Sequence, residues 1–313
     1  MILNLIAGKA PAGYTPAAFF LHFGPEYHAG QAAIDRHLEF FQHTGMDFVK
    51  IQYEQGMSRA PVTSPADWAR APRLTASDFA PTVAVVRGLV EAAGADADRE
   101  AVVVLTLYSP FMWARHLAGD AILHEHLREH PAQAMKGLEI STENVLALVR
   151  ACKAAGVDGF YASTQGGEAF RFGGSRSSGG DIFERLIKPT DLAVWDEIAS
   201  CRFNILHVCD YEGAYDDLAP FIDYPGHVVS CPLDVGGRSM TPGEASALFG
   251  RPFMGGLERK GVLATGSPEE VRRAAREVLA QAPERFILGA DCTVPADTSW
   301  DNLRAAIDVA HGG

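Results

Sequence analysis

The sequence predicts an α/β protein whose strands close into a (β/α)8 barrel. Two observations carry that expectation: short apolar, β-branched runs recur over the whole chain, and helical patterns separate them. A third disfavours the nearest competitor. A doubly wound sheet would normally place a Gly-rich phosphate turn after its first strand, whereas "GPEYHAG" follows "FFLHF" here.

The eight expected strands follow in order. Residues 18–23, "AFFLHF", are aromatic-rich, and residues 47–53, "DFVKIQY", alternate so that Lys50 and Gln52 share one face. Residues 101–108, "AVVVLTLY", form a continuous apolar run of the kind a parallel strand buried on both faces shows. Residues 158–164 ("DGFYAST"), 203–209 ("FNILHVC") and 227–234 ("HVVSCPLD") are the fourth to sixth, and residues 252–257 ("PFMGGL") and 285–292 ("RFILGADC") close the set. Among the helical patterns, residues 268–282 place Val271, Ala274, Ala275, Val278 and Leu279 on one face, with Ser267 as N-cap and Pro268 in the first turn. No linker or repeat divides the chain, so residues 1–313 are expected to form one barrel domain.

With 313 residues, 47% of them hydrophobic, the chain can bury a large core. Its net charge of −12 and the lack of a dense Lys/Arg run argue against nucleic acid as a partner. No apolar stretch approaches the roughly 20 residues of a membrane helix, no signal peptide is evident, and five cysteines do not make a disulfide framework. A cytoplasmic enzyme is expected. Two long connections, residues 54–81 and 165–181, leave the C-terminal ends of strands, where barrels carry their active sites. The second, rich in Gly and Ser, reads as a lid over the site or as a plain surface loop.

The stretch "NILHVCD" (204–210) is the most informative. Residues two apart on a strand project to the same face, so His207 and Cys209 point together at the C-terminal end of the fifth run. Cys292 ends the eighth run at the corresponding height. One imidazole and two thiols would bind zinc with one position left open, the arrangement of a catalytic site. The competing reading is that the cysteines are small core hydrophobes and the histidine is a satisfied core residue.

Three segments resemble the uroporphyrinogen decarboxylase superfamily across nearly the full length: "LYSPFMWARHLAGD" (107–120), "GVDGFYASTQ" (156–165) and "RFILGADCTVPADTSWDNLRAAID" (285–308). The resemblance implies a (β/α)8 barrel, and it distinguishes two branches. Porphyrinogen decarboxylases carry an arginine-rich motif where this chain reads "LHFGPEYHAG", a tyrosine where it has His116, and a histidine where it has Ala290. Zinc-dependent corrinoid/thiol methyltransferases carry His-x-Cys and a late cysteine, which His207, Cys209 and Cys292 match. The implied activity is methyl or alkyl transfer to or from a thiol that zinc activates. The other partner would be a corrinoid protein, free cobalamin arriving from outside, or a small methylated compound. Family members are commonly monomers or homodimers.

Further candidates surround that trio. Lys50, Gln52, His116, Gln165 and Asp234 are expected to contact substrate, Asp234 alternatively holding the second nitrogen of His207. Glu168 is a candidate fourth metal ligand, and Arg171 and Arg176 could clamp an anionic tail. Cys231 reads as core, and His126 and His130 as a solvated helix face. Two alternatives stay open: a metal-independent decarboxylase or lyase acting on a carboxylated substrate, and a barrel that merely binds a tetrapyrrole-like ligand.

Overall fold

Seven of the eight apolar runs form strands of one parallel sheet, because each is long enough to pair and almost every residue in it is buried. The computed structural model describes residues 2–9, 13–56, 62–95, 101–165, 182–211 and 213–313. Among these the strands are β1 (Phe48–Lys50), β2 (Val102–Tyr108), β3 (Gly159–Thr164), β4 (Ile205–Val208), β5 (Val228–Ser230), β6 (Asp234–Val235), β7 (Arg238–Ser239), β8 (Phe253–Leu257) and β9 (Phe286–Ala290). The curled main sheet runs β1-β2-β3-β4-β5-β8-β9, and β6 and β7 form a separate antiparallel hairpin. Crossover helices such as Ala80–Ala95, Pro131–Ala154, Lys188–Ile198 and Pro268–Leu279 return the chain between parallel neighbours. All strands of the main sheet therefore present their C-terminal ends to one side, and the candidate site lies there.

The expected first strand is corrected. Residues 18–23 contain no regular strand; just before them a single parallel bridge joins Ala17 to Leu288. The segment nonetheless bonds to both edges of the sheet. Leu288 N–H donates to the Pro16 carbonyl (2.8 Å) and Ala18 N–H to the Leu288 carbonyl (3.0 Å). On the other side Asp47 N–H donates to the Ala17 carbonyl (3.0 Å) and Phe23 N–H to the Gln52 carbonyl (2.9 Å). A side chain replaces a ladder bond in between, where Leu21 N–H donates to Gln52 Oε1 at 3.1 Å.

The end of β1 is fixed by a histidine that works only when neutral. His37, 1% exposed, donates from Nδ1 to the Ala33 carbonyl (2.6 Å) and accepts the Gln52 N–H at Nε2 (2.7 Å). Burial penalises the charged ring, so the pKa falls from 6.5 to about 4, and a second proton on Nε2 would also face Gln52 N–H. A depressed folded value means stability is present above pH 6.5 and lost as pH falls through about 4. The loss is expected to reach about 3 kcal/mol. Urea unfolding of the parent and His37→Gln across this range checks it: the variant should have the flatter profile, and equal slopes would remove His37 from the account.

β3 and β4 meet at a position only glycine fits. A Cβ on Gly159 would lie 1.6 Å from the Phe203 carbonyl oxygen, a backbone atom that cannot move aside. The neighbouring contacts tie the same place: Phe203 N–H donates to the Asp158 carbonyl (3.1 Å) and Phe160 N–H to Asn204 Oδ1 (3.0 Å). Gly159→Ala is expected to destabilise by about 3 kcal/mol, measurable by chemical denaturation, while an unchanged midpoint would refute the close approach.

One more expectation changes. Where described, the 54–81 connection forms 3-10 turns at Pro65–Arg70 and Ala76–Phe79, each with a capping box. Its Trp68 is fully buried and donates from Nε1 to His126 Nδ1 at 2.9 Å. His126 is thus a buried acceptor, not part of a solvated face. The helix Pro268–Leu279 starts as expected, with Ser267 accepting from Glu270 N–H. Cys231 is core.

Candidate metal and thiol site

His207 sits on β4 between Ser163 of β3 and Ser230 of β5, and Cys209 follows the strand with its N–H bonded to the Thr164 carbonyl at 3.0 Å. The period-two spacing turns both side chains the same way. Cys292 lies just beyond β9, three places from β4 in the sheet order, and the curl of the sheet brings it to the others. Its Sγ is 3.7 Å from Cys209 Sγ and 3.5 Å from His207 Nε2, and the three candidate ligand atoms lie within 4.8 Å of one another.

The surroundings favour one anionic sulfur. The hydrogen bond from Cys209 and the nearby His207 hold Cys292 well below the ordinary thiol value against the effect of burial. The same bond, and then burial, push Cys209 up, so one proton is shared by the pair. His207 Nδ1 lies 3.3 Å from Ser230 Oγ, and with Nδ1 as the donor its Nε2 lone pair faces Cys292. The Tyr161 ring packs 4.8 Å from the imidazole. The site fits zinc by donor chemistry: two thiols and one imidazole converge on the wall of an open cavity.

That cavity, of about 210 Å3, is lined by the trio together with His22, Lys50, Glu54, Tyr108, Arg115, His116 and Gln165, among others. Lys50 is 1% exposed and lies 3.8 Å from Glu54 Oε1, the carboxylate partner that a buried cation requires. Among the described residues its ammonium has no hydrogen-bond partner, and it sits 4.8 Å from the centre of the Phe20 ring. Burial lowers the Lys50 pKa, and Glu54 opposes that. Burial alone would raise Glu54, but its bond to His22 Nε2 (2.8 Å) and the Lys50 charge outweigh it and hold the carboxyl below its ordinary value. His22 is half exposed. Gln165 accepts from Arg115 Nη2 (2.9 Å) and approaches Cys209 Sγ with Nε2 (3.7 Å). Burial and then Arg115 lower His116, whose ring packs edge-on against Tyr108.

Not every expected site residue is here. Gln52 is buried but spends its side chain on Leu21 N–H and does not line the cavity. Asp234 is exposed, bonded to Ser239 Oγ across the β6–β7 hairpin, because the chain turns outward after Pro232. The place foreseen for it beside His207 is taken by Ser230. Glu168, Arg171, Arg176 and the proposed lid lie outside the described residues. Conversely, Glu54, His22 and Arg115 were missed; the first follows Lys50 by four positions, an i+4 carboxylate after a buried lysine that could have been noticed.

The uroporphyrinogen decarboxylase (URO-D) family model matches residues 40–313. The chain belongs to the URO-D family. Among solved structures, this URO-D member resembles a methyltransferase from Methanosarcina mazei with TM-score 0.75 at 14% identity, over 98% of this chain and 96% of that one. It also resembles a B12-independent methionine synthase from Shewanella sp. W3-18-1, in complex with selenomethionine, with TM-score 0.54 at 14% identity and 96% coverage of both chains. At such identities the likeness speaks for the fold. A search of curated proteins finds no match. Among the described residues of this URO-D member, no helix is long and apolar enough to cross a membrane.

Proposed function

We propose that this URO-D member is an enzyme that transfers a methyl or related alkyl group between a small methylated compound or corrinoid and a thiol, with zinc held by His207, Cys209 and Cys292. One observation carries the reading: two thiols and an imidazole from distant parts of the chain converge on the wall of one cavity. Methyltransferase and methionine synthase neighbours are consistent with it. The same reading takes the sheet as a (β/α)8 barrel closed by residues 16–23, supported by their hydrogen bonds to both β9 and β1.

Zinc bound by these donors would supply the Lewis acidity that keeps a substrate thiol deprotonated, yet nucleophilic, at neutral pH. The chain's own residues handle the proton and the orientation. Glu54 is the sole carboxylate among the described residues lining the cavity, and it accepts the thiol proton. His22, bonded to its other oxygen and half exposed, passes that proton to solvent. Lys50 keeps Glu54 ionised and faces the substrate, and Gln165, held by Arg115, orients the sulfur near Cys209. His116 forms part of the wall against the transferred group. Glu168 as a displaceable ligand and Arg171 with Arg176 as an anion clamp belong to the same proposal, resting on sequence position.

The test combines zinc-loaded protein, methylcobalamin or a small methylated donor, and a panel of thiols. The expected products are the methyl thioether and, from methylcobalamin, cob(I)alamin, the methyl leaving cobalt as the thiolate forms its new carbon–sulfur bond. Protein that neither binds zinc nor methylates any thiol would overturn the proposal.

A further inference from the structure

We infer that Arg259 is a positioning residue that sets the spacing of the Cys209 and Cys292 thiols. The inference rests on the reading that those thiols take a metal.

Arg259 lies two residues beyond the end of β8, at the same end of the sheet as the trio. Its backbone N–H donates to Asp291 Oδ1 at 2.7 Å, and its Nη1 donates both to Asp291 Oδ2 and to Asp210 Oδ1, each at 2.8 Å. Asp291 immediately precedes Cys292, and Asp210 immediately follows Cys209. Asp291 is held in turn: its N–H donates to the Leu257 carbonyl (2.9 Å), and its Oδ1 also accepts the Cys292 N–H (3.0 Å). One guanidinium nitrogen thereby joins the ends of β4 and β9, which are not neighbours in the sheet, to the turn after β8.

The tie is largely withdrawn from water. The side chains of Arg259, Asp210 and Asp291 are 12%, 19% and 23% exposed, so the charge-assisted bonds are little screened. Without the cation, two carboxylates would face each other beside two sulfurs. Their repulsion acts along the line joining the two cysteine-bearing loops, the direction in which a ligand set would open. Among the described hydrogen bonds none joins Arg259 to either sulfur; it works through the residues beside them, Asp210 and Asp291.

Because a single nitrogen makes both side-chain bonds, a lysine ammonium offers similar chemistry on a shorter stem, whereas methionine offers none. The experiment titrates metal-stripped full-length protein with cobalt(II) and zinc for the parent, Arg259→Lys and Arg259→Met. It also records amide hydrogen exchange of each metal-free protein. Arg259→Met is expected to bind metal about 10–100-fold more weakly, with a weaker thiolate-to-cobalt absorption, and Arg259→Lys should fall between it and the parent. Exchange in Arg259→Met should quicken at residues 209–211 and 291–293 and not elsewhere. Parent-like metal affinity in Arg259→Met, or faster exchange spread over the whole chain, would overturn the role. If the parent itself takes up no metal, the metal reading fails separately, and exchange alone decides the tie: a local increase supports it and no change ends it.

Discussion

Serine in place of Cys209 or Cys292 is expected to abolish the proposed zinc binding, taking zinc from about one ion per chain to nearly none. A serine hydroxyl keeps its proton at neutral pH and is a poor donor to zinc, whereas a cysteine sulfur binds as the thiolate. The substitution is nearly isosteric, and each sulfur borders a cavity, so the fold should survive. Changes to outer partners alone cost about 10–100-fold in metal affinity, and loss of a direct ligand should exceed that. Metal analysis of the purified parent, Cys209→Ser and Cys292→Ser, alongside their circular dichroism, reads the outcome. Zinc retained in both folded variants would mean that the 3.7 Å approach of the two sulfurs serves packing and not coordination.

The second large effect belongs to Glu54. Glu54→Gln keeps the shape and the contact with His22 but cannot take a proton, so turnover should fall by about 10²–10⁴ while zinc content stays at the parental level. Since His22 and Lys50 hold the Glu54 pKa below its ordinary 4.5, the carboxylate is ionised throughout the neutral range. Its loss as a base therefore shows only on the acid side, as pH falls below that value. The groups facing it are His22, Lys50, Tyr108 and Cys292, and the burial-raised Tyr108 stays protonated. Parental turnover and the parental acid limb in Glu54→Gln would show that another group receives the proton.

How far the sequence could lead depended on whether a residue's partner was local. His207 and Cys209 were legible because a period of two is a property of the strand itself, and Cys292 because it ends another apolar run at matching height. Residues 18–23 misled for the opposite reason. Their composition is that of a strand, but part of their bonding goes to the Gln52 side chain, which no periodicity announces. His126 has charged neighbours in sequence and reads as solvated, yet Trp68 arrives from 58 positions away to bury it. Asp234 was misplaced because a two-residue hairpin carries it outward. The trio's neighbourhood was likewise half visible: Glu54 follows Lys50 by four positions in the sequence, but only three dimensions bring His22 against that carboxylate.

The size of the cavity restricts who can enter. At about 210 Å3, the hollow formed by the described residues falls below the ~300–1,000 Å3 usual for pockets that enclose a drug-sized ligand. On the proposed reading, a donor much larger than that hollow would present only its reactive methyl group to the described residues around it. Discrimination among donors would then rest on the few atoms around the migrating carbon, and a carrier polypeptide behind such a donor would meet no steric objection from within.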